Sequence, residues 1–267
     1  MKGIESLFMR ILLSNDDGIL APGLAALREV LLELGEVSVV APASVQSAAG
    51  HGITVTGPLA VRRVHVQDSF FGHAVEGRPA DCVKLAINHL LEAPPDLVVS
   101  GINDGANVAT NVLYSGTVAA AAEGALLGYP AIAVSMERGE ERDFRRAARI
   151  TLPIIRQLLD RGLAAGSLIN INLPDLAPGL PRGVRVVPQA TRVMEDDFVR
   201  FAGPDGRDYY WLAEGRFKHA DPCESDLDAL NEGYIAITPL QFDLTQYELL
   251  SQLQACDWNG KDVRTEK

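Results

Sequence analysis

Two aspartates stand side by side in ILLSNDDGILAPG, residues 11–23, directly after an apolar run. Folding needs no such pair, because one Asp suffices for an Asx-turn or a helix N-cap. Crowded at a strand end, Asp16 and Asp17 repel each other, and a partly desolvated setting raises one pKa unless a cation sits between them. No Lys or Arg lies in this loop, so a divalent ion is the expected compensator. Carboxylate, hydroxyl and amide oxygens without Cys or His favour a hard ion, Mg²⁺ or Mn²⁺. Ser47 of VQSAAG and Asn103 of SGIN are the natural further ligands. Each alone reads as a loop residue making a turn; their shared location makes them candidates.

A second stretch, YSGTVAAAAEG at 114–124, opens an Ala-rich helix with Ser115, Gly116 and Thr117. Ser115 or Thr117 caps that helix. The same opening leaves N–H groups and the positive dipole end free to seat a phosphate. A metal beside such a seat suits a phosphate monoester and its hydrolysis, with no Arg clamp.

These residues must meet in space for any of this to work. FMRILLS reads as a buried strand, APGLAALREVLLELG as a helix with Pro22 in its first turn and Gly35 just past its end, and VSVVA as a second strand. That order implies a parallel pair joined by a right-handed crossover. The stretches ITVT, VRRVHV and FFGHAV look like hairpin strands, and PADCVKLAINHLLEA like a helix. Strands DLVVS, AIAVS and SLININLP then alternate with helices TVAAAAEGALLG and DFRRAARITLPIIRQLLD. Residues 1–175 therefore read as one α/β unit, a mostly parallel sheet with helices on both faces. Residues 176–267 read as a β-rich extension (GVRVVPQ, RDYYWLAE, GYIAITPL) whose apolar runs are too short to close a core alone, with a polar tail after 255. In a doubly wound sheet, ligands gather beyond the carboxyl ends of the strands. That places Asn15, Asp16, Asp17, Gln46, Ser47, Asn103, Asp104, Asn107 and the 115–117 turn along one rim, in loops without Lys or Arg.

Composition narrows the partners. With 35 acidic against 24 basic residues the 267-residue chain carries a net charge of −11, and its only dense basic cluster, RDFRRAAR at 142–149, is spaced like a solvated helix face. A nucleic-acid polymer is not the expected partner. Cys82, Cys223 and Cys256 are odd in number and lack CxxC spacing, so neither a disulfide framework nor a zinc knuckle is expected; Cys82 reads as core. No secretory or membrane-spanning segment is apparent, and a cytoplasmic protein is the expectation.

Together, ILLSNDDGILAPG, APASVQSAAGHGIT, GRPADCVKLAI, DLVVSGINDGANVATNVLYSGTVAAAAEG, GRDYYWLAEG and DALNEGYIAITPL resemble the SurE survival-protein family of metal-dependent nucleotidases, over residues 9–240. The resemblance implies a Rossmann-like core and hydrolysis of nucleoside 5′- or 3′-monophosphates, sometimes of short polyphosphate. It also implies a homodimer or homotetramer built through the C-terminal arm. By motif it assigns Asp16, Asp17, Ser47 and Asn103 to one divalent metal per subunit, with the aspartates as the catalytic pair. Phosphate falls near Asn107 and the Ser115-Gly116-Thr117 turn, and Asn15 completes the expected substrate contacts. Two features depart from the family: Arg78 stands where Thr is usual and reads as solvated, and residues 1–8 read as an extra tail or a misassigned start, with Met9 as initiator.

Other classes fit less well. A response-regulator receiver also carries an acidic pair but needs a Lys after its fifth strand, where this chain has AIAVSMERG. A haloacid-dehalogenase-like phosphatase separates its two aspartates by one residue, whereas here they are adjacent. A non-catalytic nucleotide sensor of the same fold would use the same ligands as the enzyme. His51 and His73 sit in settings typical of hydrogen-bonded histidines and stay outside the catalytic set. Tyr209, Tyr210 and Trp211 read as a hairpin packing face or subunit contact.

Overall fold

The computed structural model describes residues 8–139, 142–191, 194–195, 197–213, 215–217, 224–256 and 258. The proposed early tail, apart from Phe8, lies outside the described residues, as do Cys223 and most of the polar tail after 255.

The chain alternates strand and helix through β1 (Met9–Ser14), α1 (Pro22–Leu31), β2 (Gly35–Pro42), the hairpin β3 (Val61–Val66) and β4 (Ser69–Val75), α2 (Pro79–Leu85), β5 (Leu97–Asp104), α3 (Gly116–Leu126), β6 (Ala131–Met136), α4 (Phe144–Asp160) and β7 (Leu168–Leu173). After these come β8 (Val184–Val186), β9 (Met194–Glu195), β10 (Phe198–Ala202), β11 (Asp208–Leu212), β12 (Arg216–Phe217), α5 (Asp226–Asn231), β13 (Ile235–Leu240) and α6 (Tyr247–Gln254). Among the described residues nine strands form one sheet in the order β3-β4-β2-β1-β5-β6-β7-β13-β8. The central run from β4 to β7 is parallel; β3 and β13 run antiparallel to their neighbours β4 and β7. This is the Rossmann-like α/β architecture expected from the alternation of elements.

Both sheet faces are covered because the central strands are apolar on both sides, as parallel strands under crossover helices must be. Leu12 and Leu13 show it at one step of the chain. Leu13 packs with Leu24 and Leu27 of α1 and Ile155 of α4, while Leu12 packs with Val83 of α2 and Ala121 of α3. β2 and β5 flank β1, so the chain reverses its direction of travel across the sheet there, and the loops after β1 and β5 part to leave a crevice.

The last part of the chain divides. β13 and β8 extend the main sheet beyond β7, whereas β10 and β11 make a separate two-stranded ribbon. The extension also packs inward through a small cluster in which Val187, Leu227 and Leu230 meet Val108 and Ala109. Two short helices, α5 and α6, add to its strands, which the turn-rich composition concealed. Among the described residues no helix is long and apolar enough to cross a membrane.

Some local expectations change. ITVT is not a strand, because the Thr54 N–H and hydroxyl both donate to the Asp81 carboxylate at the start of α2, at 2.9 and 2.6 Å. α2 ends at Leu85 and runs into one wider π-type turn. α1 ends at Leu31, and Gly35 does not terminate it but opens β2, in register with Met9. A Cβ there would lie 2.0 Å from the Met9 carbonyl oxygen. Replacing Gly35 by Val should therefore cost about 1–3 kcal/mol of stability through overpacking. Urea unfolding measures this, and an unchanged midpoint would contradict the close packing of β1 on β2.

Candidate active site

The loop after β1 is held by Asn15. Its side-chain amide donates to the Gly18 carbonyl at 3.0 Å, and its side-chain oxygen accepts the Gly18 N–H at 3.2 Å. Asn15 is fully buried, and both its side-chain groups serve the turn. The turn presents Asp16 and Asp17 at the mouth of a cleft of about 810 Å³ that Ser47, Asn103, Asn107 and Ser115 also line. One rim thus gathers residues from the loops after β1, β2 and β5 and from the start of α3, which is the convergence that the sheet topology demanded.

Asp16 is only 6% exposed. Burial is the main reason its pKa rises to about 6, with the neighbouring Asp17 charge adding to the effect. The start of α3 pulls the other way, since the Thr117 hydroxyl donates to Asp16 Oδ1 and the Thr117 backbone helps. Gly116 is required by the approach, because a Cβ at that position would lie 2.6 Å from Asp16 Cβ. The Ser115 hydroxyl accepts the Val118 N–H at 3.1 Å as the N-cap. Gly116 and Thr117 therefore back the Asp16 carboxylate, and of the three turn residues Ser115 is the one that lines the cleft.

Asp17 is half-buried, and burial lifts its carboxyl above the usual range, with Asp104 adding to the effect. The Asp104 N–H, 3.4 Å from Asp17 Oδ2, and the Arg138 charge both oppose that rise. Arg138 brings a cation to the rim from a loop outside those named: it follows β6, lines the cleft, and its Nε donates to the Asp104 carbonyl at 2.9 Å. Arg142, read as part of a solvated face, holds Asp104 Oδ2 at 3.0 Å. Both guanidinium groups engage Asp104, and among the described residues no cationic side chain is paired with Asp16 or Asp17.

Asn107 is more deeply anchored than its loop position indicated. Its N–H donates to Asn172 Oδ1 at 2.7 Å, its side-chain amide to Ser135 at 2.8 Å, and its carbonyl accepts from Asn170 at 2.8 Å and Asn172 at 3.1 Å. Asn170 and Asn172 are fully buried on β7. Their signal in the sequence was two amides two residues apart in an otherwise apolar strand. Asp226 is a further residue that sequence reasoning missed. Fully buried, it accepts the N–H of Ala109 at 3.0 Å and of Ala190 at 2.8 Å, tying the C-terminal extension to the loop beside Asn107.

The donor chemistry fits a hard divalent ion. Asn103 spends its amide nitrogen on the Gly105 carbonyl at 2.7 Å, which leaves its side-chain oxygen as a ligand. Ser47 is exposed on the rim, and its loop is anchored where the Gln46 N–H donates to the Asp16 carbonyl at 2.8 Å. Among the described residues no three His, Cys, Asp or Glu side chains converge as a metal cage. An ion here would therefore take the two carboxylates and fill its shell with neutral oxygens.

Residues left out of the catalytic set have structural partners. His51 bonds the buried Glu123 at 2.9 Å, beside Lys84 at 2.7 Å. Cys82 is buried, and that burial pushes its thiol pKa up. Arg78 is exposed and lies against Gly52, outside the cleft lining.

Comparison with known proteins adds an independent line. The family profile described as Survival protein SurE matches residues 11–196. The chain is 45% identical over 251 residues to a protein named 5′-nucleotidase SurE from Syntrophobacter fumaroxidans, covering 94% of this chain and 100% of that one. It is 47% identical to the protein of the same name from Rhodopirellula baltica, covering 94% and 99%. A crystal structure of a SurE protein from Aquifex aeolicus superposes with a TM-score of 0.79 at 39% identity, covering 92% of this chain and 98% of the other.

Burial of Asp16 yields a pH signature. Its folded pKa, about 6, lies above the ordinary 3.8, so its contribution to stability is complete below 3.8 and is lost as pH rises through about 6. In excess chelator, Asp16→Asn should stabilise the protein at pH 7.5 by up to about 3 kcal/mol and give no such gain at pH 3.5. Urea unfolding at the two pH values measures the difference. An equal effect at both would contradict the desolvated carboxylate.

Proposed function

The chain belongs to the SurE survival-protein family, and on that premise we propose that its cleft hydrolyses nucleoside 5′-monophosphates to nucleoside and phosphate. The observation that carries the reading is the Asp16–Asp17 couple at the crevice, Asp16 buried against the start of α3 and Asp17 half-buried, with no cationic side chain paired to either among the described residues. An enzyme that handles a dianion with two carboxylates needs positive charge from outside the chain, and one divalent ion per subunit, Mg²⁺ or Mn²⁺, held by Asp16, Asp17, Ser47 and Asn103, meets that need. Such an ion supplies Lewis acidity, acidifying water and neutralising charge on the phosphoryl group.

The chain's own residues do the rest. Thr117 fixes the orientation of the Asp16 carboxylate, which limits the reorganisation needed during reaction. Asn107, locked by Asn170, Asn172 and Ser135, is held on the cleft wall for substrate. Leu113, Tyr114, Phe198 and Leu212 form an apolar wall suited to a base and sugar. Arg138 adds a cation at the rim beside Asp104. The same machinery would accept a 3′-monophosphate or short polyphosphate if the apolar wall tolerates the altered leaving group.

Phe198 and Leu212 belong to the β10–β11 ribbon, whose Tyr210 and Trp211 are exposed. A two-stranded ribbon is marginal by itself, so a second copy covering it, in a homodimer or homotetramer, is part of the proposal. A cytoplasmic setting agrees with the small-molecule substrate.

Chelation should abolish phosphate release from nucleoside 5′-monophosphates, and Mg²⁺ or Mn²⁺ should restore it; activity unchanged by chelator would remove the metal role. Asp17→Asn should lower turnover by roughly a thousandfold with the fold intact. Circular dichroism and a phosphate-release assay check this together, and near-normal turnover would exclude Asp17 from the site.

A further inference from the structure

At the amino ends of the strands, opposite the cleft, β4 leaves β2. The two pair only at Val40, Ala41 and Pro42, whereas β1 pairs with β2 from Gly35 to Val39. The gap between the diverging strands is a cavity of about 450 Å³ lined in part by Arg28 of α1, Arg63 of β3, and Phe70, Phe71 and His73 of β4.

Among the described residues, Arg28 and Arg63 of this lining have no acidic partner. Glu29 of α1 and Glu33 just beyond its end pair with Arg145 and Arg156 of α4 at 3.7 and 2.7 Å. Arg28 turns instead to the Phe71 ring, 5.2 Å away, and its Nε is buried without a hydrogen-bond partner. Arg63 lies 4.6 Å over the Phe70 ring and stands opposite His73 in the β3–β4 pairing. The Phe70 and His73 rings meet edge-on at 5.2 Å. Arg10, also in the lining, is already paired with Asp96 at 3.5 Å. Glu36 and Glu92 line the cavity too, but both are exposed, and among the described residues neither forms an ion pair with Arg28 or Arg63.

Arg28 and Arg63 thus bring two guanidinium groups without a carboxylate partner, among the described residues, to one concavity that the exposed Glu36 and Glu92 also line. A buried guanidinium N–H without an acceptor is costly, and an anion bound in the cavity would satisfy it. The volume lies within the range of small-ligand sites. We propose that this cavity is a second ligand site that binds a phosphate group, free or carried on a nucleotide, through Arg28 and Arg63. Guanidinium forks match phosphate oxygens in pairs, and the flanking rings hold both forks in place. The free edge of β2 offers backbone groups for the remainder of a larger ligand.

Equilibrium dialysis of labelled inorganic phosphate against the full chain, with divalent metal present, tests the proposal without reference to the cleft chemistry. Asp17→Asn should still bind phosphate, and Arg28→Gln/Arg63→Gln in that background should bind it at least about tenfold more weakly. The double Arg variant by itself should keep its basal phosphate release, which also shows that it folds. The His73 ring resonances should move during phosphate titration of Asp17→Asn and stay still in the combined variant. In the same background a nucleoside 5′-monophosphate that displaces labelled phosphate at lower concentration than unlabelled phosphate identifies a nucleotide as the ligand, and weaker displacement identifies free phosphate. Absence of phosphate binding in Asp17→Asn, or binding indifferent to both Arg substitutions, overturns the proposal.

Discussion

The contact on which the site depends is the abutment of α3 on Asp16. Gly116 allows the helix start to reach the aspartate side chain, and the Thr117 hydroxyl then holds one carboxylate oxygen. A buried carboxylate without such support would be protonated at neutral pH or pushed toward solvent. Here the helix end partly offsets the desolvation, yet the pKa remains raised. The two carboxylates are thus held in place by the fold itself, with no cationic side chain paired to them among the described residues.

Around that contact the fold supplies stiffness from several directions. The Asn15 turn sets the angle at which both aspartates leave β1. The buried asparagines of β7 clamp the Asn107 loop from below, and Asp226 ties the same region to the C-terminal extension. Asn170 leaves its buried side-chain oxygen without a partner, but the amide nitrogens of both asparagines are spent on the Asn107 carbonyl, and such hydrogen bonds hold a loop more specifically than apolar packing alone. The extension is therefore part of the cleft's support as well as the carrier of its apolar wall.

The charge layout follows one logic at two ends of the sheet. At the carboxyl ends, acidic residues outnumber the cations, and Arg138 and Arg142 pair with Asp104 and not with Asp16 or Asp17. At the amino ends, Arg28 and Arg63 line a cavity, and among the described residues neither is paired with a carboxylate. Separation by the full length of the strands lets each site keep its own polarity, because solvent and salt screen charges over such distances.

Much of this was legible in the sequence. The alternation of apolar runs with helical spacing gave the parallel sheet, and the rule that loops after parallel strands converge gathered Asp16, Asp17, Ser47, Asn103 and Asn107 without coordinates. Residue type and order along the chain were sufficient there, since the crossover rule leaves those loops no other end of the sheet. What tertiary structure decided was how each residue's groups are spent. Asn15, Gly116 and Thr117 turn inward to support the aspartates, Gly35 serves a close strand contact, and Arg138 and Arg142 reach the rim from β6 and the segment before α4. Burial, hydrogen-bond partners and the splay between β2 and β4 depend on contacts between segments far apart in the chain. A reading of local pattern has no access to those distances, and therefore none to the charge that each group carries in its final surroundings.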